Sequence, residues 1–157
     1  MNYAPEELQY IRRSTEKDVE KLSPNLRQAD IQELRAGLYA SPHAALSDGL
    51  KNSTDCFTIL SPSTGEPMAM FGASYQTEHR YSTVWLLGTD ELLQHKRKFL
   101  RYSKRWIHRL LKTYGSIGNY VDERNTVHIR WLEWCGFMQQ GCIKTKETRF
   151  TLYVKER

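Results

Sequence analysis

The sequence predicts an α/β (α+β) domain with a mixed central β-sheet flanked by helices, and three observations carry that prediction. Strand-like and helix-like stretches alternate along the chain, which calls for helices layered on a sheet. Thr83 to Leu87 is a continuous apolar run, the pattern of a buried central strand, and a long amphipathic helix follows it. Asn125 to Phe137 reads Asn-Thr-Val-His-Ile-Arg-Trp-Leu-Glu-Trp-Cys-Gly-Phe: a polar turn after a short β-like run, then an amphipathic helix with a glycine-aromatic stop.

Taken in order, Tyr10 to Arg13 is a short strand. Asp18 to Leu22 begins a helix, and Asp30 to Tyr39 continues with Ile31, Leu34 and Leu38 on one face. Pro42 to Lys51 is a further short helix, because Ser41 can cap it and proline suits its first position. Cys56 to Leu60 is a strand, Ser61-Pro-Ser-Thr-Gly-Glu-Pro67 a turn, and Met68 to Tyr75 the return strand of a hairpin. Glu78-His79-Arg80 is a polar link to the central strand. From Gln94 to Lys112 there are eight Lys or Arg residues and no acid, while Phe99, Trp106, Leu110 and Tyr114 fall at helical spacing. This is a long helix with a basic outer face, for which Thr89 and Asp90 are N-cap residues. Ile117 to Val121 is the next strand. In the helix after it, Val127, Trp131 and Trp134 recur at spacings of four and three and make one apolar face. Gly136 can take the left-handed conformation that ends a helix, and Phe137 then packs back. Gln139 to Lys144 and Arg149 to Val154 close the chain as strands. No repeat, low-complexity tract or linker interrupts it, so residues 1–157 are expected to be one domain.

Composition excludes several classes. The chain is 39% hydrophobic and 11% aromatic, which suits a globular protein. No apolar run is long enough to cross a bilayer, and Met1 to Tyr10 lacks the basic-then-apolar order of a signal peptide, so the expected place is the cytoplasm. Cys56, Cys135 and Cys142 are an odd number without CxxC spacing and read as small core residues in a reducing compartment. The five histidines are scattered, and no metal is expected. The formal charge of +5 concentrates in the basic helix. Its cations read as a solvated face, as a nucleic-acid footprint, or as an anion site at the helix start. Nucleic acid is the weakest of these readings, because the aromatic residues of the helix fall on its buried face instead of among the charges.

The order of elements resembles that of the GNAT superfamily of acyl-CoA-dependent N-acyltransferases. The resemblance is densest at Tyr120-Val121, Asn125, Ile129 to Trp134 and Gly136-Phe137, where the family has a strand, an asparagine, a helix and an aromatic-rich end in Gly-Phe. Trp85-Leu-Leu-Gly-Thr89, Asn119-Tyr-Val-Asp122 and Arg130-Trp-Leu-Glu-Trp-Cys-Gly-Phe137 look like a GNAT-like family of tailed-phage proteins that includes an internal virion protein of T7-like phages. That resemblance places a phage-encoded chain in the host bacterial cytoplasm or with the virion.

The resemblance implies acetyl-CoA as cofactor, held where two parallel strands, Thr83 to Leu87 and Ile117 to Val121, splay apart. Backbone groups of Leu87, Gly88 and Thr89 would pair with the pantetheine arm, and Gly88 would permit close approach. The start of the basic helix, with His95, Lys96, Arg97 and Lys98, would receive the pyrophosphate. Asn125 would stand within reach of the cofactor arm, or cap its helix. The reaction implied is acyl transfer to an amine, with Glu78 and His79 as candidate bases and Tyr120 as candidate acid. The partners implied are an amine acceptor or, for a member that has lost the activity, a host or virion protein. Two residues depart from the family pattern. The phosphate-loop region, Leu93 to Leu100, contains no glycine, and Leu132 stands where active members carry a proton-donating tyrosine.

Overall fold

The computed structural model describes residues 9–76, 78 and 80–157. A seven-stranded sheet runs in the order β1 (Ile11–Arg13), β2 (Asp55–Leu60), β3 (Pro67–Ser74), β4 (Ser82–Gly88), β5 (Ile117–Asp122), β7 (Arg149–Lys155) and β6 (Met138–Lys144). Every pairing is antiparallel except β4 with β5. Those two strands are in register only at Ser82↔Ile117 and Thr83↔Gly118. Beyond that point they part, and the sheet carries a wedge-shaped gap between Val84–Gly88 and Asn119–Asp122. The mixed α/β architecture with splayed parallel strands is the one the sequence predicts.

Helices cover both faces. On one lie α1 (Glu16–Leu22), α2 (Gln28–Ala36) and α3 (Pro42–Asn52), packed through Val19, Leu22, Leu46, Met70 and Leu87. On the other lie α4 (Glu91–Gln94), α5 (Lys96–Tyr114) and α6 (Thr126–Trp134), packed through Trp106, Leu110, Ile117, Val121 and Leu132. Phe57, Phe71 and Trp106 form an aromatic knot under α5, with ring centroids 4.9–5.5 Å apart. Among the described residues, no helix is long and apolar enough to cross a membrane.

Four local expectations change, the last of them at Leu38. The basic helix is split: α4 ends at Gln94, His95 leaves helical geometry (φ −108°, ψ 32°), and α5 starts at Lys96. In α6 the core-facing residue is Leu132, while Val127 and Trp134 are 39% and 43% exposed. The Val127–Trp131–Trp134 stripe turns sideways toward α5, where the Trp131 indole donates to Ser103 Oγ at 2.9 Å. Of the cysteines, Cys56 and Cys135 are buried and Cys142 is exposed on β6, an edge strand open along its whole length.

Leu38, expected on the apolar face of α2, lies past its end. The amides of Leu38 and Tyr39 donate back to Arg35 and Leu34, which closes the helix with a left-handed residue. That residue is Leu38, at φ 68° and 93% exposed. Its side chain packs on little, while its Cβ makes this conformation costly. Leu38→Gly is therefore expected to raise stability by about 1 kcal/mol in chemical denaturation. A destabilised variant would show that the leucine side chain holds the turn.

Candidate functional site

Gly88 and Asn125, two of the residues singled out from sequence, stand at the gap between β4 and β5, and the chain fills much of it with its own groups. Thr89 donates its amide to Met68 on the β3 side, so the N–H and C=O of Gly88 point into the gap. Both are engaged. The Gly88 carbonyl accepts from the Arg27 amide at 2.8 Å, and the Gly88 amide donates to Asp30 Oδ2 at 3.1 Å. Leu26 and Thr89 form an isolated antiparallel bridge. The start of α2 thus lies along β4 as a short added strand. Gly88 has a packing reason of its own, since a Cβ there would meet Leu92 at 3.0 Å and Ala69 at 3.4 Å.

Asn125 closes the same region from the β5 side. It occupies the N-cap position of α6, but its side chain makes no capping bond and is 1% exposed. Its Nδ2 donates to Asp30 Oδ1 at 2.9 Å and Glu33 Oε2 at 2.7 Å, and its Oδ1 accepts from Arg27 Nη2 at 3.2 Å. Arg27 Nη1 stands 3.5 Å from Asp30 Oδ1, and His128 Nδ1 3.8 Å from Glu33. Burial pushes the Asp30 carboxyl above the usual carboxylate range, while the Arg27 charge and the Gly88 and Asn125 hydrogen bonds resist it. Asp30, Glu33 and His128 bring one potential metal-ligand atom each within 4.8 Å of one another. Asn125, the Gly88 amide and the Asp122 amide already occupy the carboxylate oxygens, and the guanidinium beside Asp30 opposes a second cation.

Space around the gap is uneven. On the α2–α3 side a cleft of about 660 Å³ is walled by Leu38, Tyr39, Trp85, Tyr120 and Phe150, with Glu33, Asp48 and His128 as its carboxylate and imidazole groups. Toward α4, α5 and α6 the room between Arg27, Gly88, Leu92, Phe99, Val127 and Trp131 shrinks to about 30 Å³. The Phe99 and Trp131 rings, stacked 5.5 Å apart, help to close it.

The residues singled out from sequence are divided by the fold. Gly88 and Asn125 meet at the gap through Asp30, whereas Thr89 turns its amide and hydroxyl to the Met68 carbonyl on the β3 side. Leu87 is buried among the α1–α3 packing, and Tyr120 lies on the cleft wall. His95 lies against Glu91 at 3.7 Å. Lys96 and Arg97 are exposed at the start of α5, and Lys98 turns toward β1, 4.9 Å over the Tyr10 ring. Glu78 is exposed before β4, at the end of that strand opposite Gly88. His79 lies outside the described residues. Burial raises the Cys135 thiol to about 11, so it stays protonated at neutral pH. Sequence reasoning missed Arg27, Asp30, Glu33 and His128. The one available signal is the i, i+3 spacing of Asp30 and Glu33 on one helix.

A family model described as "Bacteriophage T7, probable scaffold protein Gp13" matches residues 58–140, from within β2 to within β6. No curated protein matches the chain. Among solved structures, the chain is similar to a GNAT-family acetyltransferase from Bacillus anthracis, at 14% identity over 93% of each chain and a TM-score of 0.69. It is also similar to AAC(6')-Ib in complex with ribostamycin and coenzyme A, at 17% identity over 94% of this chain and 93% of that one, with a TM-score of 0.68. A third is ribosomal-protein-S5-alanine acetyltransferase from Vibrio fischeri, at 14% identity over 99% and 95% of the two chains, with a TM-score of 0.62. At these identities the likeness is one of fold, and the fold is that of the GNAT acetyltransferases.

Proposed function

The chain belongs to the phage family of the T7 probable scaffold protein Gp13, and on that premise we propose that it is a GNAT-fold assembly protein that has given up acetyl transfer. The observation that carries this reading is the state of Gly88. A pantetheine arm adding to β4 needs the amide and carbonyl that face the gap, and both are bonded to α2. Two further features agree. A space of about 30 Å³ is roughly the share of one water molecule, far from the volume of a pantetheine chain. Leu132, at the position where the family resemblance puts a proton-donating tyrosine, is a core leucine, 4% exposed, with no proton to give. The large cleft then serves a partner instead of a reaction. Its apolar rim and the exposed carboxylate of Asp48 suit a virion or host protein segment that carries a basic residue. The place of action is the cytoplasm of the infected host, with retention in the virion as the extension of that role.

The second reading, acetyl transfer to an amine, has the splayed strands in its favour and neighbours solved with coenzyme A or acetyl-CoA. It would require α2 to release Gly88. His128 beside Glu33 would then be the base on the cleft wall and Tyr120 the acid. One titration separates the two. A ligand at about 100 times its dissociation constant stabilises a protein by about 2.7 kcal/mol, which for this size is roughly 5–10 °C of melting temperature. Millimolar acetyl-CoA is expected to leave the melting temperature unchanged. A shift that disappears when Lys96, Arg97 and Lys98 are changed together to alanine would establish the cofactor site and end the assembly-only reading. The assembly role has its own arm: the chain should co-sediment with immature capsids of the encoding phage, and its absence from them sinks that role.

A further inference from the structure

On the opposite side of the sheet from the cleft, the outer face of α5 carries an ordered row of cations. Arg97, Arg101, Lys104, His108 and Lys112 fall at i, i+4, i+7, i+11 and i+15, and all are exposed. At about 1.5 Å per residue this row is roughly 22 Å long. The sequence spoke against nucleic acid because the aromatic residues of this helix face inward, and Tyr102, Trp106 and Tyr114 are buried. Tertiary packing supplies the missing ring from another helix. The end of α6 sets the 43%-exposed Trp134 beside the row, with Lys104 Nζ 4.0 Å from its ring centroid. There a pocket of about 370 Å³ opens, walled by Lys104, His108, Leu111, Trp134 and Lys155. No carboxylate lines it among the described residues. Glu133, next to Trp134 in sequence, accepts from the Tyr153 hydroxyl at 3.3 Å.

We propose that the trough between α5 and α6 binds single-stranded nucleic acid, with the α5 row following the phosphates and Trp134 stacking on a base. A cationic track with an aromatic platform beside it is the arrangement that holds unpaired strands, because every base has a face to stack and every nucleotide a charge to neutralise. A duplex hides its base faces and would leave the indole idle. An acidic peptide would satisfy the cations but has no use for the ring.

Fluorescence anisotropy with a labelled oligothymidylate tests this on the intact chain. Arg97, Arg101, Lys104, Lys112 and Lys155 supply five Lys or Arg side chains along the trough, so log affinity is expected to fall against log salt with a slope of about −3 to −4. Trp134→Ala is expected to weaken binding roughly 5- to 150-fold while melting at the wild-type temperature. Arg101→Glu combined with Lys104→Glu should abolish binding at every salt concentration. Undiminished binding by Trp134→Ala overturns the proposal. So does a duplex of equal length, or a polyglutamate chain, that binds as tightly as the oligothymidylate; the latter would assign the surface to an acidic protein.

Discussion

Replacing Asn125 with alanine is expected to cost about 3–5 kcal/mol of folding stability, or roughly 10 °C of melting temperature. The amide bonds three charged side chains at once: its Nδ2 satisfies Asp30 and Glu33, and its Oδ1 satisfies Arg27. Hydrogen bonds to charged groups contribute about 1.5–3 kcal/mol each, and water cannot easily replace them at a side chain only 1% exposed. Arg27 and Asp30 are themselves buried, so the loss leaves charges facing each other without their mediator. Asp30→Ala should be about as costly, and the double variant much less costly than the two single losses added together, because the residues act as one unit. Urea titrations of the three variants check this. Additive losses, or a loss below about 1 kcal/mol for Asn125→Ala, would mean that the network does not fasten α2 to the sheet. The same network keeps Gly88 occupied, so the result bears on function as well as on folding.

Asp18→Ala is expected to lose about 3 kcal/mol at neutral pH and to flatten the acid limb of the stability curve. Asp18 is 1% exposed and receives both nitrogens of the Arg12 fork at 2.7 and 2.8 Å, the Thr15 amide at 2.9 Å and the Thr58 hydroxyl at 2.9 Å. These bonds join the start of α1 to β1 and β2. Burial pushes its carboxyl up, but Arg12, Thr15 and Thr58 together hold it below the usual range. Asp122 behaves alike: burial is outweighed by Arg124 and Thr148. A carboxyl with a depressed folded pKa stabilises above its unfolded pKa, near 3.8, and loses that contribution as pH falls through the lower folded value. Asp30 works in the opposite direction. Its folded pKa is raised, so acid favours its folded form and offsets part of the loss. The wild-type protein should therefore weaken below about pH 4, and the Asp18→Ala variant should show a shallower decline. Equal slopes would show that Asp18 is not held in its charged form.

Most of the architecture was legible because each element announces itself locally. The apolar run Thr83–Leu87 reads as a central strand and lies within β4, and Gly136, at φ 91°, ends α6 as its position predicted. The candidate site was legible in part. Gly88 and Asn125 stand out by type and context, and both lie at the gap. Arg27, Asp30, Glu33 and His128 gave no comparable signal. In a linear reading a buried arginine and aspartate three residues apart look like a solvated pair, and only the packing of α2 over β4 takes them out of water. Trp134 shows the same limit from the other side. Its spacing with Val127 and Trp131 is helical, which puts it on an apolar face, yet Leu132 is the residue that turns to the core and the indole stands beside Lys104.

By itself, the sequence determined the order of strands and helices, the basic face of α5, and the absence of a glycine loop and of the expected tyrosine. Periodicity, turn chemistry and residue identity are local properties, and they survive in any arrangement of the elements. The tertiary structure alone decided what fills the gap between β4 and β5. That outcome depends on contacts such as Asn125 with Asp30, 95 residues apart in the chain. Such pairs exist only once helix and sheet have packed and excluded the water that would otherwise satisfy each group separately.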